Sequence, residues 1–269
     1  MSATFTTPKK QLTWLITGCS SGFGLSLTRI AQAGGHTVVA TSRNPSRTPE
    51  LVAEVEGKGG KWLQLDVDSP NSAQVIEDLE KSGQEIDVLV NNAGFSIHAP
   101  IETFAEDEIR AQMESMYFGP LRLIQAVLPH MRKRRFGVIV NMSSGAALEA
   151  RDSMGAYAGA KAGLDGTLTK ALAKEVAPFN TRALTVVLGT FNTNMATPPG
   201  KIVPNGDKDK AMKAVYEVVV GEGAGAGCEA ERFLPLGTDM TVRVKMVQEC
   251  LAHGLEVFVD VANNVNIDK

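Results

Sequence analysis

Tyr157 and Lys161 stand four residues apart in a stretch with helical character, a spacing that puts both side chains on one face. A phenol alone is a poor base at neutral pH, because its pKa lies near 10. An ammonium one turn away favours the phenolate and is expected to lower that value. Tyr157 can then take a proton from an alcohol, or give one to a carbonyl oxygen. Ser144 lies 13 residues upstream, at the end of an apolar run, where a hydroxyl can hold the substrate oxygen. A core aromatic with a wet hydroxyl is the plain alternative for Tyr157.

A second cluster lies near the N-terminus. Thr17-Gly18-Cys19-Ser20-Ser21-Gly22-Phe23-Gly24 follows an apolar run and opens a helix. Glycines permit the tight turn and let backbone N–H groups approach a pyrophosphate, which the helix N-terminus then faces with partial positive charge. The spacing is Gly-x3-Gly-x-Gly, not the commoner Gly-x-Gly-x2-Gly, and a simple turn is the alternative. Its place between first strand and first helix argues for a dinucleotide. The second strand ends at Ser42-Arg43, where an NAD site usually offers a carboxylate to the ribose. A guanidinium there pairs with a 2′-phosphate, so NADP(H) is the expected cofactor. An exposed loop cation is the other reading of Arg43. Asp66-Val67, after the third strand, are placed to bracket the adenine, although Asp66 serves equally as a turn acceptor.

These residues need elements to hold them. Short runs rich in Val, Leu and Ile at 12–17, 36–41, 61–65, 88–90, 138–142, 183–188 and 232–236 read as strands buried on both faces. Helical segments alternate with them. One runs over 23–33 to a Gly34-Gly35 stop, and one opens at Asp68-Ser69-Pro70. A long one follows a Thr103/Glu106 capping pattern and reaches about 135; another spans 157–176. Alternating β and α predicts an α/β fold, one parallel sheet with helices on both faces. The Pro- and Gly-containing stretch 194–227 reads as a substrate lid or a plain surface excursion, with a short helix at 211–220. Apolar residues at 240, 244, 247, 251, 255 and 258 predict a closing helix over about 238–258 that packs on the sheet.

In this order and spacing the motifs resemble the short-chain dehydrogenase/reductase family over nearly the whole chain. The matching pieces are Thr17–Gly24, Asn91-Asn92-Ala93-Gly94, Ser143-Ser144, Tyr157-x3-Lys161 and Gly189-x3-Thr193. Phe118–Met131 and Leu234-Pro235-Leu236-Gly237 look most like NADPH-preferring hydroxysteroid- and retinol-dehydrogenase-like members and microbial or fungal ketoreductases. The resemblance implies a single domain over 1–269, a Rossmann-type doubly wound sheet of about seven strands in the order 3-2-1-4-5-6-7. It implies Ser144, Tyr157 and Lys161 as catalytic residues, with Tyr157 as general acid/base and Lys161 also on the nicotinamide ribose. Asn92, Ala93 and Gly94 would line the adenosine side and brace the sheet. Gly189, Thr190 and Thr193 would meet the nicotinamide amide and the diphosphate. Two departures stand out. Leu188-Gly189 replaces the usual Pro-Gly, which would loosen that corner. Met116 replaces the Asn that helps hold a proton-relaying water, and a thioether cannot do that work.

The expected activity is NADP(H)-dependent interconversion of a carbonyl and a secondary alcohol. Phe95, Ile97, Met154, Phe191 and Met195 would line the substrate side, an apolar set that suits a lipophilic small molecule; His98 is a solvated loop residue or a substrate contact. Met116 and Leu188 leave open an imine or enone reductase or a redox-neutral cyclase. An NADP(H)-sensing scaffold without turnover is the reading from another class. Composition excludes much else. Apolar residues at 43% and a net charge of −3 describe a globular chain, not a disordered one, and disfavour a nucleic-acid surface. Three widely spaced cysteines support neither a disulfide framework nor a metal site. No signal peptide or membrane span is legible, so a cytoplasmic location is expected. Apolar residues on the helices over 103–135 and 157–176, such as Leu121, Ile124, Leu128, Leu164, Leu168 and Leu172, predict a homodimer or homotetramer.

Overall fold

Seven strands form where the apolar runs stand: β1 (Thr13–Ile16), β2 (Thr37–Ser42), β3 (Lys61–Gln64), β4 (Val88–Asn91), β5 (Gly137–Ser144), β6 (Thr181–Leu188) and β7 (Phe233–Leu236). The computed structural model describes residues 5–193 and 204–265. The strands pair in parallel in the order β3-β2-β1-β4-β5-β6-β7, as expected. Side chains alternate between two cores because the strand period is two. Trp14, Ile16, Val38, Val88 and Val140 enter one cluster, while Leu15, Val39, Leu89 and Ile139 enter the other.

The helices are α1 (Gly22–Ala33), α2 (Pro49–Gly57), α3 (Gln74–Lys81), α4 (Glu106–Met113), α5 (Gly119–Arg134), α6 (Gly155–Ala162), α7 (Lys170–Val176), α8 (Lys208–Val220) and α9 (Met240–Asn263). Residues of α1 and α8 close the first core, and those of α3, α5 and α7 close the second. Ligands of such sheets bind outside the carboxyl ends of the strands, where the order reverses between β1 and β4.

The structure departs from the sequence expectations at several helices. Both long helices are interrupted by wide π turns, at Glu114–Phe118 and Gly163–Thr169. Such turns are common at functional sites, and both flank the Tyr157 helix here. Helix α4 starts later than the Thr103 pattern implies: the Glu108 carboxylate caps the Ala105 N–H at 3.0 Å, while Thr103 bonds the Pro100 carbonyl. Helix α3 likewise begins after a series of turns from Asp68.

Residues 194–203, part of the segment expected as a lid, lie outside the described residues. The rest of that segment contains α8, whose Met212 and Val215 are fully buried beneath β1 and α1. Each such side chain stabilises by about 1.5–3 kcal/mol when buried, so α8 packs as a layer of the fold. Helix α9 departs in the opposite direction. Only Met240 and Arg243 in its first turn are buried, and Leu251, Leu255 and Phe258 are 70, 67 and 61% exposed. The helix runs on past the sheet after β7, and its apolar stripe covers no surface among the described residues.

Candidate active site

Thr17 ends the first crossover corner and ties it to β4. Its hydroxyl accepts from the N–H groups of Asn92 and Ala93, each at 2.9 Å. The Asn92 amide donates back to the carbonyls of Thr17 and Gly18 at 2.8 and 3.2 Å. Gly18 and Gly22 hold φ of +72° and +58°, which a side chain would strain. A Cβ at Gly18 would also come within 2.8 Å of the Ala93 backbone. Gly24 packs against Gly18 inside the turn and does not line the cavity. Ser21 starts α1 without a side-chain cap, so the first helix N–H groups are left to face the cavity that Ser20, Ser21, Gly22 and Phe23 line. That arrangement fits a diphosphate.

One cavity of about 1030 Å³ runs from this loop along the strand ends to the Tyr157 helix. Arg43 and Val67 lie at the loop side, with Asn92, Ala93 and Gly94 between, and Gly189, Thr190 and Thr193 across from them. Arg43 is exposed and makes no ion pair among the described residues. Asp66 stays out of the cavity: its carboxylate accepts from the Asp68 N–H at 3.1 Å, the turn role left open by the sequence. Asp68 lines the cavity instead, bonded to Ser115.

At the far end Ser144, Tyr157 and Lys161 converge in the same cavity. Ser144 closes β5, and its hydroxyl accepts from the Ala146 N–H at 3.2 Å. Tyr157 is buried and hydrogen-bonds Ser144; burial pushes its phenol up, the Ser144 bond pulls it down and the charge of Asp165 adds to the rise. The expected lowering by the ammonium is therefore overturned in the protein alone. Desolvation of the buried phenol is the largest cause, and Lys161 turns its Nζ to the Met142 carbonyl. A neutral phenol is a proton donor. Burial also lowers Lys161, opposed by the charge of Asp165.

Met116 is buried against Gly94 and packs with Tyr157, Ala146, Ala158 and Ala160. It is an apolar filler at the point where the resemblance expects an amide. The Leu188 corner is not loose. Gly189 donates to the Leu236 carbonyl at 2.7 Å. Asp239 accepts from the Thr190 hydroxyl at 3.1 Å and pairs with Arg243 at 2.6 Å. A carboxylate clamp does the work expected of proline, and Gly189 is needed because a Cβ would collide with Asp239.

Phe95, Met154, Phe191 and His98 line the substrate side, with Phe191 edge-on to Phe23 at 5.5 Å. Ile97 does not line it; its N–H bonds Gln112. Met195 lies outside the described residues. Arg151, Asp152 and Arg243 also reach the cavity, so its wall is less apolar than the sequence reading anticipates. Arg243 comes from α9, nearly a hundred residues from Ser144, and no local signal announces it. Asp165 is different: it repeats the four-residue step from Tyr157 to Lys161, so its place on that face was legible.

Residues 13–201 match the short chain dehydrogenase family. The chain is a short-chain dehydrogenase. It is 36% identical to oxidoreductase claN of Passalora fulva over 79% of this chain and 97% of that one. It is 38% identical to a 3-ketodihydrosphingosine reductase of Bacteroides thetaiotaomicron over 66% of this chain and 64% of that protein. Among solved structures, a gluconate 5-dehydrogenase of Burkholderia cenocepacia, in complex with NADP and tartrate, superposes with a TM-score of 0.74 at 26% identity, covering 87% of this chain and 96% of that one. As a short-chain dehydrogenase the chain is an oxidoreductase that uses a nicotinamide cofactor. No described helix is long and apolar enough to cross a membrane.

Proposed function

We propose that this dehydrogenase is an NADP(H)-dependent ketoreductase acting on a lipophilic small molecule, reducing a carbonyl to a secondary alcohol or running the reverse. One observation carries the reading: a buried Tyr157, hydrogen-bonded to Ser144, faces the same cavity as the glycine loop and Arg43. NADP(H), when bound, supplies or accepts the hydride. Ser144 holds the carbonyl oxygen, and Tyr157 Oη gives it a proton as negative charge develops there. Lys161 stabilises the phenolate that remains and draws a proton back toward it. Gly18, Ser20, Ser21, Gly22 and Thr193 would hold the diphosphate, with Arg43 on the 2′-phosphate.

The NADP complex of the gluconate dehydrogenase and the ketone substrate in the Bacteroides relative's name support cofactor and reaction class. The phenyl and thioether side chains of Phe95, Phe191 and Met154 support an apolar substrate body. A cytosolic homo-oligomer belongs to the same reading. Of the residues expected to pair copies, Ile124, Leu164 and Leu172 are core residues and Leu121, Leu128 and Leu168 are half-buried, so the exposed apolar surface nearest to that pairing is Phe118, with the outer stripe of α9 elsewhere. The test is NADPH oxidation across a panel of lipophilic ketones, with enones and cyclic imines as comparison. Turnover of enones or imines but no ketone would replace the ketoreductase reading, and NADPH binding without turnover of any would leave only a sensor.

A further inference from the structure

The Tyr157 helix carries a third group that proton transfer through Tyr157 and Lys161 leaves unused. Tyr157, Lys161 and Asp165 follow one another at four-residue steps and form one stripe. Asp165 is 6% exposed. One carboxylate oxygen accepts from the Ser143 hydroxyl, and the other, Oδ1, finds no hydrogen-bond partner among the described residues. Ser143 and Ser144 are consecutive on β5, so the strand turns one hydroxyl to Tyr157 and the previous one to Asp165. Lys161 is 5% exposed and donates to the Met142 carbonyl, a neutral partner. It makes no ion pair within 4 Å among the described residues. A buried ammonium without a counter-charge is costly and tends to shed its proton.

Resting on the ketoreductase reading, we infer that Asp165 is a positioning residue for the reaction: a buried carboxylate, fixed by Ser143, that keeps Lys161 charged beside Tyr157. Met116, which packs against Tyr157, is a thioether and carries no charge. Burial pushes the Asp165 carboxyl up, to about 7, against the pull of Lys161 and Lys170, so it is an anion on the alkaline side where Lys161 would shed its proton. The influence on Lys161 runs the other way: burial lowers it and Asp165 raises it. Tyr157 feels Asp165 as a charge that keeps the phenol protonated. Asp165 touches no reacting atom; it acts through Lys161.

The experiment is the pH profile of kcat/KM for NADPH-dependent ketone reduction in the full-length enzyme and in Asp165→Asn, Asp165→Glu and Ser143→Ala. Removing the anion makes Lys161 lose its proton at lower pH. The alkaline limb of Asp165→Asn should therefore move down by about one pH unit or more, the scale of an adjacent opposite charge. At the acid end of the profile kcat should stay within a few-fold of the parent. Asp165→Glu should restore most of the shift, and Ser143→Ala should give a smaller shift of the same sign. NADPH affinity at pH 6.5 should be unchanged in all of them, which a general distortion of the helix would not allow. If Asp165→Asn does not fold, Ser143→Ala carries the test alone. An alkaline limb that stays in place in folded, active variants overturns the inference and leaves the ketoreductase reading intact. A parent enzyme that reduces no ketone overturns that reading instead, and with it the inference.

Discussion

Replacing Arg43 by aspartate isolates the cofactor preference from everything else. Arg43 stands exposed at the end of β2 and pairs with no acid among the described residues, so its removal orphans no group of the protein. The loop backbone is held separately, by the Gln64 amide donating to the Arg43 carbonyl at 3.0 Å. The cost therefore falls on the ligand. A hydrogen bond to a charged group contributes about 1.5–3 kcal/mol. An aspartate facing a doubly charged phosphate adds about 2 kcal/mol of repulsion at 4 Å under water-like screening. Together these predict a loss of NADPH affinity of at least about 10²-fold, at 1.4 kcal/mol per decade. NADH lacks the phosphate and should change by no more than about threefold. Calorimetric or fluorescence titration of both cofactors measures this directly, with thermal melting as the check that the fold is intact. The gap between the two cofactors should narrow at 1 M salt, where the screening length falls to about 3 Å. Equal losses for NADPH and NADH, or no loss for NADPH, would refute the 2′-phosphate assignment.

Three further outcomes are expected. Tyr157→Phe should lower kcat at least about 10²-fold while NADPH affinity holds, since only the proton donor is removed; near-normal turnover would mean another group supplies the proton. His36 is half-buried against Trp14 and Tyr216, and its Nδ1 accepts from the Leu12 N–H at 3.0 Å. Burial lowers its pKa below the usual 6.5. The unfolded chain then takes up the proton first, so stability is full above that value and falls as pH drops below it; a His36→Gln variant should melt with a weaker acid dependence between pH 7 and 5, and an unaltered dependence would place the acid sensitivity elsewhere. Light scattering at micromolar concentration should give at least a dimer, and a strictly monomeric mass would leave the exposed stripe of α9 without a second copy to cover it.

The strands and the cofactor loop were legible because both rest on local patterns, and the sheet order came with the family resemblance those motifs carry. Short apolar runs that alternate with helix-period segments fit parallel strands, and Thr17–Gly24 between a strand and a helix carries its own geometry in its glycines. Tyr157, Lys161 and Ser144 were legible because helical periodicity and strand ends place them without knowledge of the rest. What tertiary structure decided is where burial sets the chemistry. The sign of the Tyr157 shift follows from how completely β5 and the Met116 turn seal it, which no spacing reveals. The corner at Gly189 is held by Asp239 and braced by Arg243 from a helix fifty residues later, a contact that exists only once β7 has docked. The periodicity of α8 and that of α9 look alike in sequence. One lies under the sheet and the other extends beyond it, because an amphipathic pattern states that a face is apolar but not what is available to cover it.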